Sequence, residues 1–163
     1  MSDGAIELVP AAQVHAELLA GMHAICFAAP WNARAMLDLL GMPGTQGAIA
    51  VAGGSLKPNL TPPGPAGLVL WRQAADEAEI LTLAVLPPWR RQKLGGRLLR
   101  FAMDCVQAGG AGIMFLEAAA DNTAALALYE GHGFNRVGLR KGYYGCVDGV
   151  TMSCSLVTDE TGL

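Results

Sequence analysis

At 163 residues, with 52% hydrophobic and 15% charged residues, the chain is long and apolar enough for one domain with a full core, which excludes a disordered chain. The net charge of −3 argues against a nucleic-acid binder, because the basic residues gather only locally, near positions 90–100. No apolar run approaches the roughly 18 residues of a membrane span and the first residues lack the basic opening of a signal peptide, so the expected setting is cytoplasmic, with no membrane partner.

In chain order, residues 6–9 read as a first strand and residues 11–25 as a helix. Pro30, Trp31 and Asn32 open a second, shorter helix that ends near Leu40. A strand at 48–52 pairs as a hairpin with one at 67–71. Between them, residues 53–66 contain two consecutive glycines and Pro58, Pro62, Pro63 and Pro65. That stretch reads as a stiff loop insertion within a single domain spanning 1–163.

A β-type apolar run at 80–86 is stopped by Pro87 and Pro88. A basic turn follows (Arg90, Arg91, Gln92, Lys93, Leu94, Gly95, Gly96) and opens into a helix with Leu94, Leu98, Leu99, Ala102 and Val106 on one face. A helix start leaves about four backbone N–H groups without partners and carries a partial positive charge. With two arginines and a lysine beside it, this end suits a phosphate-bearing anion. Its spacing is neither G-x-x-x-x-G-K-[ST] nor G-x-G-x-x-G.

Residues 113–117 read as a buried strand, and Asp121 or Asn122 caps a short helix running through Tyr129 to about His132. Gly133 ends that helix and Phe134 leads into a strand at 135–139. Residues 140–149 read as a loop, 150–156 as a last half-buried strand and 158–163 as a frayed tail. Asn122 and Tyr129 are seven apart, nearly on one helix face and about 10 Å along the axis, so both can touch one extended ligand. Strands adjacent in sequence at the front and helix-separated behind imply an α/β (α+β) fold, a mixed sheet with helices on both faces.

Cys26, Cys105, Cys146 and Cys154 make neither a C-x-x-C pair nor a Cys/His metal spacing, so reduced thiols and no metal are expected, with Cys105 and Cys154 as core fillers. His15, His23 and His132 form no constellation and read as surface or packing residues.

The turn at 90–96 resembles the R/Q-x-x-G-x-G/A turn of the GNAT superfamily of N-acetyltransferases. Arg90 and Gly95 are in register, and Lys93 stands where the family usually has its first glycine. Further on, Leu116 and Glu117 are followed by Asn122-x-x-Ala125-x-x-Leu128-Tyr129-Glu130-x-x-Gly133-Phe134. That string is similar to the ribosomal-protein-alanine N-acetyltransferases within the superfamily. Residues 27–31 and 142–144 also match, so the likeness spans nearly the whole chain and is dense from 79 to 145.

The resemblance implies a GNAT-type mixed, splayed sheet of about seven strands, open between the fourth and fifth to admit acetyl-CoA. It implies that Arg90, Arg91, Gln92, Lys93, Leu94, Gly95 and Gly96 hold the cofactor's pyrophosphate. Leu83, Ala84 and Val85 would offer backbone groups to its pantetheine, in the manner of strand addition, and Asn122 would bind the same arm. Glu117 takes the role of general base through a water, and Tyr129 that of general acid toward the sulfur. Pro30, Trp31, Tyr143 and Tyr144 would receive the acceptor. Ordinary structural roles stand beside these: a strand-end carboxylate, an amphipathic core tyrosine and a plain helix cap.

The implied acceptor is a protein N-terminus, a ribosomal protein's among the candidates, and the implied state is a monomer or weak dimer. A free α-amine titrates near 7.7–8.0 and lysine near 10.4, so at neutral pH one modest base suffices for the former. Two departures widen the field: the stretch after Asp148 and Gly149 lacks the acidic pair of the ribosomal-protein enzymes, and Ala119 replaces their frequent arginine. A small-molecule amine is therefore the alternative acceptor, and a non-catalytic acyl-CoA-binding module the third reading.

Overall fold

The computed structural model describes residues 6–53 and 64–157. Its strands are β1 (Ile6–Pro10), β2 (Thr45–Ala52), β3 (Gly64–Ala74), β4 (Glu77–Val85), β5 (Ile113–Ala119), β6 (Asn135–Tyr144) and β7 (Val147–Ser155). The α-helices are α1 (Ala16–Cys26), α2 (Ala33–Gly41), α3 (Leu94–Ala108) and α4 (Thr123–Gly131). Among the described residues the strands are hydrogen-bonded in the order β1-β2-β3-β4-β5-β7-β6. The pairings β1–β2, β2–β3, β5–β7 and β6–β7 are antiparallel and β4–β5 is parallel. This is the expected mixed sheet.

Two compact units make up the chain. One comprises the described residues up to Arg72 together with Leu81–Ala102, the other Gln73–Ile80 with the residues from Met103 onward. The division runs through β3, β4 and α3 rather than through a linker.

In the first unit, β4 alternates along its length, burying Thr82 and Ala84 while Leu81, Leu83 and Val85 stay half-buried. That period of two is what an extended strand imposes. Helix α3 buries Leu94, Leu98, Leu99 and Ala102, the three-to-four spacing of one helix stripe. Gly67 on β3 is there for space: a Cβ added to it would lie 2.8 Å from the Ala84 carbonyl oxygen and 3.0 Å from Leu98 Cδ1. The first neighbour is backbone and cannot swing aside. Gly67→Ala is therefore expected to destabilise the protein by about 1–3 kcal/mol, the usual cost of overpacking, read as a lower Tm.

In the second unit the parallel ladder of β4 with β5 holds three residue pairs, Glu77 with Ile113, Ala78 with Met114 and Glu79 with Phe115. Strand β5 buries Met114, Leu116 and Ala118, while β7 buries Val150, Met152 and Cys154. Strand β6 is an edge strand, exposed at every residue.

Four expectations need correction. Residues 140–149 are not a loop: β6 runs on to Tyr144 and returns as β7 from Val147. Gly142 (φ 65°) and Gly145 (φ 75°) take left-handed backbone there, and the register shifts between Arg140 and Tyr144. A bulged, glycine-rich hairpin hides its period of two. The Pro-rich insertion is shorter than read, because Gly64, Pro65 and Ala66 already belong to β3; residues 54–63 lie outside the described residues, as does the tail at 158–163. Before α1, residues Gln13–His15 form a 3₁₀ turn in which His15 Nδ1 accepts from the Ala12 amide at 2.9 Å. Cys154 is buried as expected, while Cys105 is only half-buried.

Candidate active site

In the first unit, β4 delivers Leu83, Ala84 and Val85 to a proline-led 3₁₀ turn (Pro87–Trp89) and then to the basic turn. Arg90 does not simply project into solvent: its Nε donates to the Val85 carbonyl at 2.9 Å. The Cys26 thiol donates to the same oxygen at 3.6 Å, and burial raises that thiol's pKa, with Arg90 opposing. Two donors therefore already engage the Val85 carbonyl.

Arg91 and Lys93 both have φ of 63°. The left-handed region costs a residue with a side chain about 1–2 kcal/mol, and such strain persists where surrounding structure over-determines it. Lys93 thus holds the backbone that a glycine would adopt freely, while its side chain stays exposed. The first bond of α3 runs from the Arg97 amide to the Lys93 carbonyl at 3.2 Å. The amides of Leu94, Gly95 and Gly96 come before it and have no helical carbonyl to reach. Leu94 is buried, Gly95 and Gly96 half-buried, and Arg90 to Lys93 exposed. Gln92 Nε2 donates back to the Pro88 carbonyl at 3.3 Å.

Also in the first unit, Pro30 is exposed and Trp31 half-buried just ahead of α2, which Asn32 caps by accepting from the Ala35 amide at 2.9 Å. Sequence reasoning missed the residue beneath them. His23 is 3% exposed, with its ring stacked against Phe27 at 4.1 Å and Trp31 at 4.9 Å between centroids. The signal was present as aromatic residues four and eight positions after a helical histidine.

The second unit gathers Glu117, Tyr129, Tyr143 and Tyr144. Asn122 caps α4, its Oδ1 accepting from the Ala125 amide at 3.2 Å, so its amide N–H groups are left for another acceptor. At the far end Gly133 (φ 92°) makes a Schellman stop: the Phe134 amide donates to the Tyr129 carbonyl at 3.1 Å and the Gly133 amide to that of Glu130 at 3.1 Å. That stop folds the Phe134 ring against the Tyr129 ring, edge-on at 6.0 Å. Tyr129 is 7% exposed, and its phenol is pushed up to about 12, by burial first and then by Tyr144.

Glu117 on β5 lies opposite Thr151 of β7. Its Oε1 is buried and accepts no hydrogen bond. Arg140 Nε approaches that atom to 3.5 Å as an ion pair without hydrogen-bond geometry, so the oxygen keeps its acceptor capacity. Room for the carboxylate comes from Gly149, where an added Cβ would lie 2.7 Å from Oε1. Tyr143 and Tyr144 are exposed and meet edge-on at 5.0 Å, with Arg140 over the Tyr143 ring at 5.1 Å. Burial raises the Tyr144 pKa, with Glu117 and Tyr143 adding to it and Arg140 opposing.

Comparison with known proteins adds a family. The acetyltransferase (GNAT) family profile matches residues 18–134. The [ribosomal protein bS18]-alanine N-acetyltransferase of Escherichia coli K12 is 39% identical over 84 residues, 52% of this chain and 57% of that enzyme. That match spans little more than half of the relative's length. The N-alpha-acetyltransferase RimI of Mycobacterium tuberculosis is 39% identical over 116 residues, 71% of this chain and 68% of its own. The crystal structure of the ribosomal-protein-S18-alanine N-acetyltransferase from Escherichia coli superposes with a TM-score of 0.84 at 24% identity, covering 98% of this chain and 99% of that one.

Proposed function

The chain belongs to the acetyltransferase (GNAT) family, and on that premise we propose that it transfers the acetyl group of acetyl-CoA to the N-terminal α-amine of a protein, with a ribosomal protein as first candidate. Acetyl-CoA supplies an acetyl group already activated as a thioester. The turn at 90–96 fits its pyrophosphate: three amides without helical partners stand beside exposed Arg91 and Lys93 on a backbone held in left-handed geometry.

The base of the reaction is a carboxylate oxygen that accepts no hydrogen bond. In this reading Glu117 Oε1, buried and unbonded, takes the amine's proton through a water. This is the observation that carries the proposal, because a buried carboxylate oxygen without a hydrogen bond is costly unless a reactant uses it. Tyr129 faces the leaving sulfur as a phenol that stays protonated up to about pH 12. An alkyl thiol titrates near 8.5, so giving the proton away outright is uphill by about 5 kcal/mol. Tyr129 therefore lends a hydrogen bond as negative charge builds on sulfur and keeps its proton. Asn122, with its oxygen committed to the helix cap, offers its amide to a carbonyl of the pantetheine arm.

The acceptor assignment draws support from the names of the two relatives, one a ribosomal-protein-alanine N-acetyltransferase and the other an N-alpha-acetyltransferase. A small-molecule amine remains the second reading, favoured by Arg140 beside Glu117: that cation does not suit an Arg- or Lys-rich peptide. Incubation with acetyl-CoA and separate panels of N-terminal peptides, lysine peptides and small amines, following free thiol, decides between them. Thiol release with the N-terminal peptides alone supports the proposal, and release with small amines alone replaces it.

Gly149→Ala tests the space around the base. The added methyl meets Oε1 at 2.7 Å and Tyr143 Cβ at 3.3 Å, so Glu117 must turn away. Turnover is expected to fall about tenfold or more, since misplacement of a positioned base by an ångström has effects up to a hundredfold. Acetyl-CoA affinity, read by calorimetry, should hold.

A further inference from the structure

We propose that His23, as a neutral imidazole protonated on Nε2, is the positioning residue that seats the acceptor segment at Trp31 on strand β4. The inference rests on the reading of Pro30 and Trp31 as acceptor contacts and adds what holds them in place.

The tautomer follows from the partners. The Trp31 amide lies 3.0 Å from His23 Nδ1, and a backbone N–H can only donate. Nδ1 therefore carries a lone pair, and the proton of the neutral ring is on Nε2. Nε2 is 3.1 Å from Thr82 Oγ1, which accepts it. Burial lowers the pKa of the ring, in keeping with the neutral form.

The segment it holds has little else. Residues 27–32 between α1 and α2 belong to no helix or strand. The Asn32 carbonyl starts α2 by accepting from the Met36 amide at 3.0 Å, and ahead of that cap the backbone anchors are the Phe27 amide on the His23 carbonyl at 3.0 Å and the Trp31 amide on the His23 ring. Both lead to one residue, whose ring is also layered between Phe27 and Trp31. Any buried neutral imidazole has a donor and an acceptor nitrogen to satisfy, so what counts is where the two partners lie. Here one nitrogen fixes a segment before α2 and the other fixes Thr82, the residue just ahead of Leu83, Ala84 and Val85 on β4. A single side chain thus sets the acceptor segment in register with the strand assigned to the acyl arm.

Two near-isosteric substitutions separate the nitrogens. In His23→Asn the side-chain oxygen takes the place of Nδ1 and can still receive the Trp31 amide. In His23→Gln the amide nitrogen takes the place of Nε2 and serves Thr82, leaving the Trp31 N–H with no acceptor. The experiment measures KM for an acceptor peptide, kcat, acetyl-CoA affinity by calorimetry, and Trp31 emission as the difference between each protein and its Trp31→Phe counterpart. H23Q is expected to raise the acceptor KM about tenfold, as loss of one buried hydrogen bond does. It should also shift Trp31 emission to the red while acetyl-CoA affinity stays within about twofold. H23N should recover most of both effects. Equal behaviour of H23N and H23Q, or a loss shared by acetyl-CoA affinity, overturns the proposal. Should H23Q fail to fold, Thr82→Val and H23N carry the comparison, because both lose the bond to Thr82 and keep an acceptor for the Trp31 amide. Both should then raise the acceptor KM alike, by less than about tenfold, with Trp31 emission unshifted. A red shift in either overturns the proposal. If the wild-type protein acetylates no amine, the functional reading falls, while Trp31 emission still decides the role of His23: an unshifted H23Q spectrum refutes it.

Discussion

Replacing Tyr129 with phenylalanine is expected to lower kcat by about 10²–10³-fold, the cost of removing one positioned hydrogen-bond donor to developing charge, and to leave acetyl-CoA affinity unchanged. The substitution removes one oxygen from a ring whose place is fixed by other means. The Schellman stop at Gly133 uses the Tyr129 carbonyl, and the edge-on contact with Phe134 uses the ring face. Both survive in Tyr129→Phe, so folding is spared and the measurement isolates the hydroxyl. The pH dependence has a definite sign. The folded pKa, about 12, lies above the ordinary value of 10, so the phenol is intact throughout neutral and mildly alkaline pH. Stability linked to its neutral form is complete below pH 10 and is lost as pH rises from 10 toward 12. Any fall in kcat between pH 8 and 10 must therefore arise elsewhere, and Y129F should keep the shape of the wild-type profile in that window at a lower level. An unchanged kcat would remove Tyr129 from the chemistry.

Glu117→Gln should cost about 10²-fold or more in kcat/KM at neutral pH. Glutamine keeps the volume beside Gly149 and removes the base. Structural loss is small: Arg140, the ion-pair partner, is 61% exposed, and such surface pairs are worth about 0–1 kcal/mol. An unchanged Tm with a depressed rate thus separates chemistry from folding. Because the α-amine titrates near 7.7–8.0, raising the pH supplies neutral amine without a base, and E117Q should recover part of its loss by about pH 9. Failure of any rate loss at pH 7 would leave Glu117 as a structural carboxylate on β5.

Much of the fold was legible because its signals are local. The apolar stripe from Leu94 to Val106, the Asn122 cap and the Gly133 stop each follow from spacing and from a residue type with one cheap conformation. The same signals put Tyr129 one turn before a stop, whereas Glu117, expected at a strand end, lies two residues inside β5, which runs on to Ala119. What stayed hidden depends on partners distant in sequence. The hairpin at 140–149 was masked by Gly142 and Gly145, whose left-handed backbone breaks the alternation. His23 looked like packing because Thr82, 59 residues away, is invisible to periodicity. Lys93 in left-handed backbone breaks a local preference, and such violations concentrate at functional sites. The side chains of Gln92 and Arg90 bond to neighbouring carbonyls, a bracing of the turn that spacing alone does not reveal.

The most direct measurement places both kinds of amine on one molecule: a peptide with a free N-terminal alanine and an internal lysine, incubated with the protein and acetyl-CoA, its acetyl group located by tandem mass spectrometry. Acetylation of the alanine α-amine alone, abolished in Y129F, is the result expected here. Acetyl on the lysine side chain, or an unmodified peptide after long incubation with folded protein, would contradict it.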